Sequence, residues 1–288
     1  MILQDTPFQF FTIWSGIESG LYYAIIGFYV LIFFYFLLMR FRTSKKAYWL
    51  FFSLLFLFLA VGRVFFIIYY FYAPEFVIAM SDAELVNLLM ILYRFATLFT
   101  WVGIACLMVI LGILVFPPLA ENIEIKSGTS FKDKLKGLLR EKYVRLTLKL
   151  VLIIVPIIIG VAALILPDSL FMDPDFVDRY PSVVNLSSLD LTFFGYPAGR
   201  AVLNFILLPI FVAIVPFLYL SLAKRTFGVL RRSYALNAIG FLIYFLGRIL
   251  QGVLNSLDFP HVSATLSPLL ILLSLLLIVI ANNYEQLK

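Results

Sequence analysis

Seven blocks of mostly apolar residues, over 18–39, 47–72, 84–116, 146–166, 198–223, 233–257 and 262–282, are separated by short segments where charges and prolines collect. A bilayer core of about 30 Å needs roughly 20 helical residues rising about 1.5 Å each. The pattern therefore predicts an all-α integral membrane protein, a seven-transmembrane helix bundle forming a single domain over 1–288. The third block overshoots the hydrocarbon, so its helix should tilt or project on one side, and Pro117 and Pro118 end it.

Composition excludes the alternatives. A chain that is 63% hydrophobic and 13% charged cannot hide its apolar surface in one water-soluble core. One cysteine, Cys106, and one histidine, His261, leave nothing for a disulfide framework or the usual metal and haem sites, so no cofactor is expected. Charge then sets direction. Of 22 lysines and arginines, 17 fall in the 40–46 loop, the 121–149 loop, the 224–232 loop and the C-terminal tail, with only 5 of the 16 acids. Cytoplasmic loops accumulate positive charge, which puts the N-terminus outside and the C-terminus inside, in the plasma membrane. The net charge of +6 follows from this bias and gives no reason to expect nucleic acid. No basic region precedes Met1–Phe11 and Glu18 interrupts the first apolar block, so the start does not read as a cleaved signal peptide.

Two segments outside the blocks have their own character. Over 128–145, Phe131, Leu135, Leu138 and Leu139 recur at helical spacing among Lys132, Lys136, Arg140 and Lys142, which predicts a cytoplasmic amphipathic helix lying on anionic lipid, with docking of a partner protein as the alternative. The stretch 167–199 is an acidic extracytoplasmic loop containing Asn185-Leu186-Ser187, a glycosylation acceptor pattern. A repeat is also visible: Lys45-Lys46-Ala47-Tyr48 and then Gly62-Arg63 correspond to Arg231-Arg232-Ser233-Tyr234 and Gly247-Arg248. A 3+1+3 parallel repeat would produce this, the plan of SWEET-type sugar transporters and microbial rhodopsins. His261-Val262-Ser263-Ala264-Thr265 resembles the seventh-helix string of the rhodopsins. However, Thr265 stands where those proteins carry their retinal-binding lysine, and spans six and seven hold no other. Schiff-base photochemistry is thereby rejected, and no family is assigned.

Ionisable groups inside a span cost several kcal/mol unless they face the bundle, pair or snorkel, which makes them functional candidates. Here they are arginines. Arg63, Arg94, Arg200 and Arg248 fall at similar depth near the outer mouth. On span six Asn237, Tyr244, Arg248, Gln251 and Asn255 share one helical face. Glu18 is the only carboxylate deep enough to oppose them. One reading is structural: the arginines snorkel to outer headgroups, pair with Glu18 or with loop acids such as Glu75, Asp82 and Glu84, and fix helix packing. The other is an outward-facing cavity, lined by Arg63, Arg94, Arg200, Arg248, Gln251, Asn255 and Glu18, whose guanidiniums hold an anionic group. No nucleophile with its base, carboxylate pair or phosphate loop can be named, so an enzyme is not expected. The expectation is a receptor- or sensor-like membrane protein binding a small anionic or lipid-headgroup ligand. Facilitative transport of an anion, or a scaffold role beside another membrane or cytoplasmic protein, is the alternative.

Overall fold

The computed structural model describes residues 12–115, 142–184, 192–193, 196–257 and 259–283. Among these described residues seven helices are long and apolar enough to cross a membrane: α1 (Ile13–Ser44), α2 (Ala47–Val77), α3 (Asp82–Val115), α4 (Lys142–Ile165), α5 (Ala198–Arg225), α6 (Gly228–Ser256) and α7 (Pro260–Asn283). The chain is an all-α integral membrane bundle.

The helices outrun the apolar blocks that predict them. Thr12 caps α1 by accepting a hydrogen bond from the Ser15 amide, which satisfies one of the orphan donors of the first turn. Where the sequence suggests a stop at 72, α2 passes through a π-helical stretch, Ile68–Tyr72, into a 3-10 turn, Ala73–Ile78. α3 has 34 residues, a length of about 50 Å at 1.5 Å per residue. α5 widens into a π-helix over Val202–Leu207, just before Pro209. Proline has no N–H for the carbonyl one turn back, and a wider turn relieves the clash.

Tight connections set the neighbours. Lys45 (φ 55°) turns the chain from α1 into α2, and Gly228 (φ 62°) turns it from α5 into α6. Both turns lie at the end of the bundle that carries most of the described lysines and arginines, here the basic end; the other is the acidic end. Around the bundle α1, α2 and α3 form one half and α5, α6 and α7 the other. α1 packs on α7 and, along a much narrower seam, α3 packs on α5, while α4 lies outside the ring against α3. α1 contributes Tyr22, Ile25, Tyr29, Ile32 and Phe36 to the core, a three-and-four spacing that keeps one face inward.

Of the 128–145 segment only residues 142–145 are described, and they form the first turn of α4; the rest of the proposed amphipathic helix lies outside the described residues, as does Asn185. The acidic loop folds over its end of the bundle. It contains a 3-10 turn (Asp168–Leu170), a short helix (Asp175–Arg179) and a hairpin pairing β1 (Thr192–Phe193) with β2 (Tyr196–Pro197). It buries Phe171, Phe176, Tyr180 and Val184.

Two glycines set helix separation in the two halves. A Cβ on Gly62 of α2 would lie 3.1 Å from the Ala96 carbonyl oxygen and 3.2 Å from Thr100 Oγ1 of α3, and a Cβ on Gly247 of α6 would lie 3.2 Å from the Ser267 carbonyl oxygen of α7. Gly62→Leu should therefore force α2 and α3 apart and cost about 1–3 kcal/mol, seen as a lowered melting temperature in detergent. Gly20→Ala, with nothing within 4 Å, should leave that temperature unchanged or slightly raised, because alanine is the better helix former.

Candidate functional site

The four arginines placed at one depth by their spacing meet three different surroundings. Arg94 of α3 reaches the end of α4. Its Nε and Nη2 donate to Asp168 Oδ1 at 3.1 and 2.5 Å, Nη1 donates to the carbonyls of Ala163 (3.2 Å) and Leu164, and Nη2 donates to that of Leu166 at 2.6 Å. The last carbonyls of a helix have no partner within it and carry partial negative charge. Arg94 supplies both the donors and the countercharge, and so fastens α4 to α3.

Arg200, in the first turn of α5, is 5% exposed. Its Nη1 pairs with Asp173 Oδ2 at 2.5 Å and its Nη2 donates to the Tyr69 hydroxyl at 3.1 Å. Tyr69 in turn donates to Asp173 Oδ2 at 2.9 Å. The guanidinium carbon lies 4.2 Å from the centre of the Tyr93 ring, whose hydroxyl accepts from Asn204 Nδ2 at 3.1 Å. The neighbouring Gly199 lets the loop come this close, since a Cβ there would meet the Leu170 carbonyl oxygen and the Phe171 ring at 2.8 Å. Burial pushes the Asp173 carboxyl up, but the charge of Arg200 and the hydrogen bonds from Arg200 and Tyr69 outweigh it and hold the carboxyl below its usual range.

Arg63 and Arg248 form the third setting. Arg63 is 8% exposed, with its guanidinium carbon 4.7 Å from the centre of the Tyr22 ring. Arg248 lies in the wall of a cavity of about 40 Å³ between α2, α3, α5, α6 and α7, where the other walls include Leu55, Phe56, Thr100, Val212 and Tyr244. Both charges act on Tyr22 and Tyr29 of α1. Gln251 Nε2 donates to the Tyr22 hydroxyl at 2.8 Å, and Tyr29 makes a long contact, 3.5 Å, with Tyr244. Glu18, one turn before Tyr22, interacts with the Tyr22 hydroxyl and with the charge of Arg63. Among the described residues neither Arg63 nor Arg248 forms an ion pair or donates a hydrogen bond.

The structure thus brings Glu18, Arg63, Arg248 and Gln251 around Tyr22 and sets Arg94 and Arg200 apart. The Asn255 side chain lies outside the described residues. Asn237, on the same face of α6, is committed elsewhere: it donates to the Ser233 carbonyl and accepts from Asn282 Nδ2 at 3.0 Å. The arginines that form ion pairs here do so with loop acids. Asp82 accepts from the Ser182 hydroxyl and Glu84 from Ser81, while Asp168 and Asp173 take the arginines. His261 stacks on Trp14 with 4.7 Å between ring centres. Among the described residues no three His, Cys, Asp or Glu side chains converge, so the chemistry of the site rests on guanidinium, phenol and amide groups. Missing from the sequence reading are Tyr22 and Tyr29. With Glu18 they repeat at four and seven residues along one face of α1, a signal that was readable but looks like core filling. Comparison with family models, curated proteins and solved structures finds no match.

Replacing Asp173 by Asn leaves Arg200 buried and uncompensated, at a cost of about 3–5 kcal/mol, measurable as a fall in melting temperature. Because the folded carboxyl titrates below its unfolded range, its contribution is fully present above about pH 4 and is lost as pH falls through the lower, folded value. The wild type should lose stability on acidification below about pH 4, and Asp173→Asn should show a flatter profile there.

Proposed function

We propose that this chain is a receptor- or sensor-like membrane protein that binds a small anion between Arg63 and Arg248, reached from an acidic end that faces out of the cell. One observation carries the reading: Arg63, 8% exposed, and Arg248, half-buried in the cavity wall, make no ion pair and donate no hydrogen bond among the described residues. Unpaired buried charge is too costly to keep without a partner. Glu18 supplies at most one negative charge against two positive ones, which leaves the cluster complementary to a monoanion. Arg248 and Arg63 would hold a carboxylate or oxyanion, Tyr244 and Gln251 would add hydrogen-bond donors, and the apolar wall beyond would take a short hydrocarbon part. The cavity volume is below the 300–1,000 Å³ of drug-sized sites, which favours a small ligand. Binding without chemical conversion is the activity proposed, and the plasma membrane its place, since the bias of basic residues toward one end favours an inside C-terminus.

Facilitative transport is the second reading, and a repeated contact favours it. Gly62 of α2 lies against Ala96 and Thr100 of α3, and Gly247 of α6 against Ser267 and Ile271 of α7. In the same way Leu55 of α2 lies against Gly103 of α3, and Gly240 of α6 against Ser274 and Ile278 of α7. One constant shift in numbering carries α2 onto α6, and another carries α3 onto α7. The same exchange turns the α1–α7 contact into the α5–α3 contact. We infer a 3+1+3 parallel repeat in which Arg63 and Arg248 are equivalent positions, and sites at repeat interfaces are where transporters hold their solutes.

Chloride, sulfate, phosphate, acetate and hexanoate, added singly to purified protein, test the site. A bound anion at 100 times its dissociation constant should stabilise the folded state by about 2.7 kcal/mol, and Arg63→Gln and Arg248→Gln should each abolish the effect. If none of the five raises the melting temperature of the wild type, the binding reading falls. Flux of the stabilising anion into proteoliposomes then separates transporter from sensor. Orientation is tested separately, because the native Cys106 is buried and silent: Val183→Cys should label from outside intact cells and Phe227→Cys should not.

A further inference from the structure

At the basic end, about 14 residues back along α2 from Arg63, a pocket of about 500 Å³ opens between the end of α1 and the start of α2, walled by Tyr35, Met39, Arg40, Thr43, Ser44 and Trp49. Its volume lies in the range of small-molecule sites. Arg40 is held rigidly in it. Nη2 donates to the Asn282 carbonyl at 2.7 Å and to Asn283 Oδ1 at 3.0 Å, in the last turn of α7. The guanidinium carbon lies 5.5 Å from the centre of the Trp49 ring and 6.0 Å from that of Tyr35, so two aromatic faces flank the charge. Its Nε is buried without a partner, and among the described residues Nη1 makes no hydrogen bond and no carboxylate pairs with the group. A guanidinium anchored through Nη2, with Nη1 left without a partner among the described residues, holds a charged donor in place for an oxyanion.

The surroundings say which anion. Arg42, Lys45 and Lys46 follow within six residues, and no Asp or Glu occurs between Glu18 and Glu75, so the turn from α1 into α2 carries only positive side chains. The pocket sits where one spanning helix ends and the next begins, which is headgroup depth, and Trp49 and Tyr35 are the residue types of that layer. Met39, in the pocket wall, and its neighbour Leu38 are 65% and 51% exposed; on a membrane helix such side chains face acyl chains. We propose that this pocket binds the phosphate headgroup of an anionic phospholipid, with Arg40 as the principal contact, Lys45 and Lys46 as supporting charges and an acyl chain lying along Met39. Basic pockets between helix ends are suited to such headgroups.

Full-length protein purified in detergent and exposed to phosphatidylglycerol, phosphatidylcholine or inorganic phosphate tests this, read by native mass spectrometry and by melting temperature. Phosphatidylglycerol should be retained about tenfold more than phosphatidylcholine, a difference of about 1.4 kcal/mol, and should raise the melting temperature where inorganic phosphate at the same concentration does not. Arg40→Gln should remove that preference. Because Arg40 also ties α1 to α7, the Lys45→Gln/Lys46→Gln double variant, at exposed positions, provides a second reading and should lower retention several-fold. Arg248→Gln should retain phosphatidylglycerol as the wild type does. Equal retention of the two lipids, or undiminished retention by a folded Arg40→Gln variant, overturns the proposal. Equal stabilisation by inorganic phosphate also overturns it, in favour of a free-anion site.

Discussion

A guanidinium carried into a hydrocarbon layer has to be solvated by the protein, because no water is there to do it. Much of this bundle is arranged around that requirement. Arg94 is solvated by the carbonyls that α4 cannot satisfy within itself, together with Asp168. Arg200 is solvated by a carboxylate, a phenol and a ring face. At headgroup depth, Arg40 likewise finds two acceptors in the last turn of α7. In each case the charge joins elements distant in sequence, so the cost of burying it is converted into a specific helix arrangement. The acidic loop folds onto the bundle for the same reason: it carries the two carboxylates that these arginines need.

Arg63 and Arg248 break the rule. Tyrosines surround them, and a phenol can share a hydrogen bond or offer a ring face but cannot neutralise a charge in its usual protonated form. The cavity beside Arg248 offers the hydroxyls of Thr100 and Tyr244 but no carboxylate. A core that was only structural would be expected to close around such charges as it closes around Arg200.

The seven spans were legible because a bilayer demands long apolar runs whatever the rest of the fold does. Their ends were less so: α2 continues to Val77 and α4 begins at Lys142, since a helix persists beyond the hydrocarbon as long as its backbone bonds are made. Depth along a helix was also readable from residue counts, and it placed four arginines on one level. Rotation about the axis was not, and it is rotation that sends Arg94 toward α4 and Arg248 into the cavity. The partners Asp168 and Asp173 were unreadable for a different reason. Which carboxylate of a long loop meets which span depends on how that loop folds, and here it depends on the close approach allowed at Gly199. Tyr22 and Tyr29 were visible at a regular spacing, but tyrosine on an inward face has no signature that separates a site from a core.

The two loop carboxylates hold different helices. Asp168 is bound to α3 through Arg94, and Asp173 to α5 through Arg200, across the narrowest seam of the ring. Five residues of chain separate them, and five residues can span at most about 18 Å when fully drawn out. The loop is therefore a tether with a fixed maximum length and an ionic clasp at each end. Tension that pulls α3 from α5 is borne by the two ion pairs once the tether is taut, so chain length, and not only side-chain packing, limits how far the seam can open.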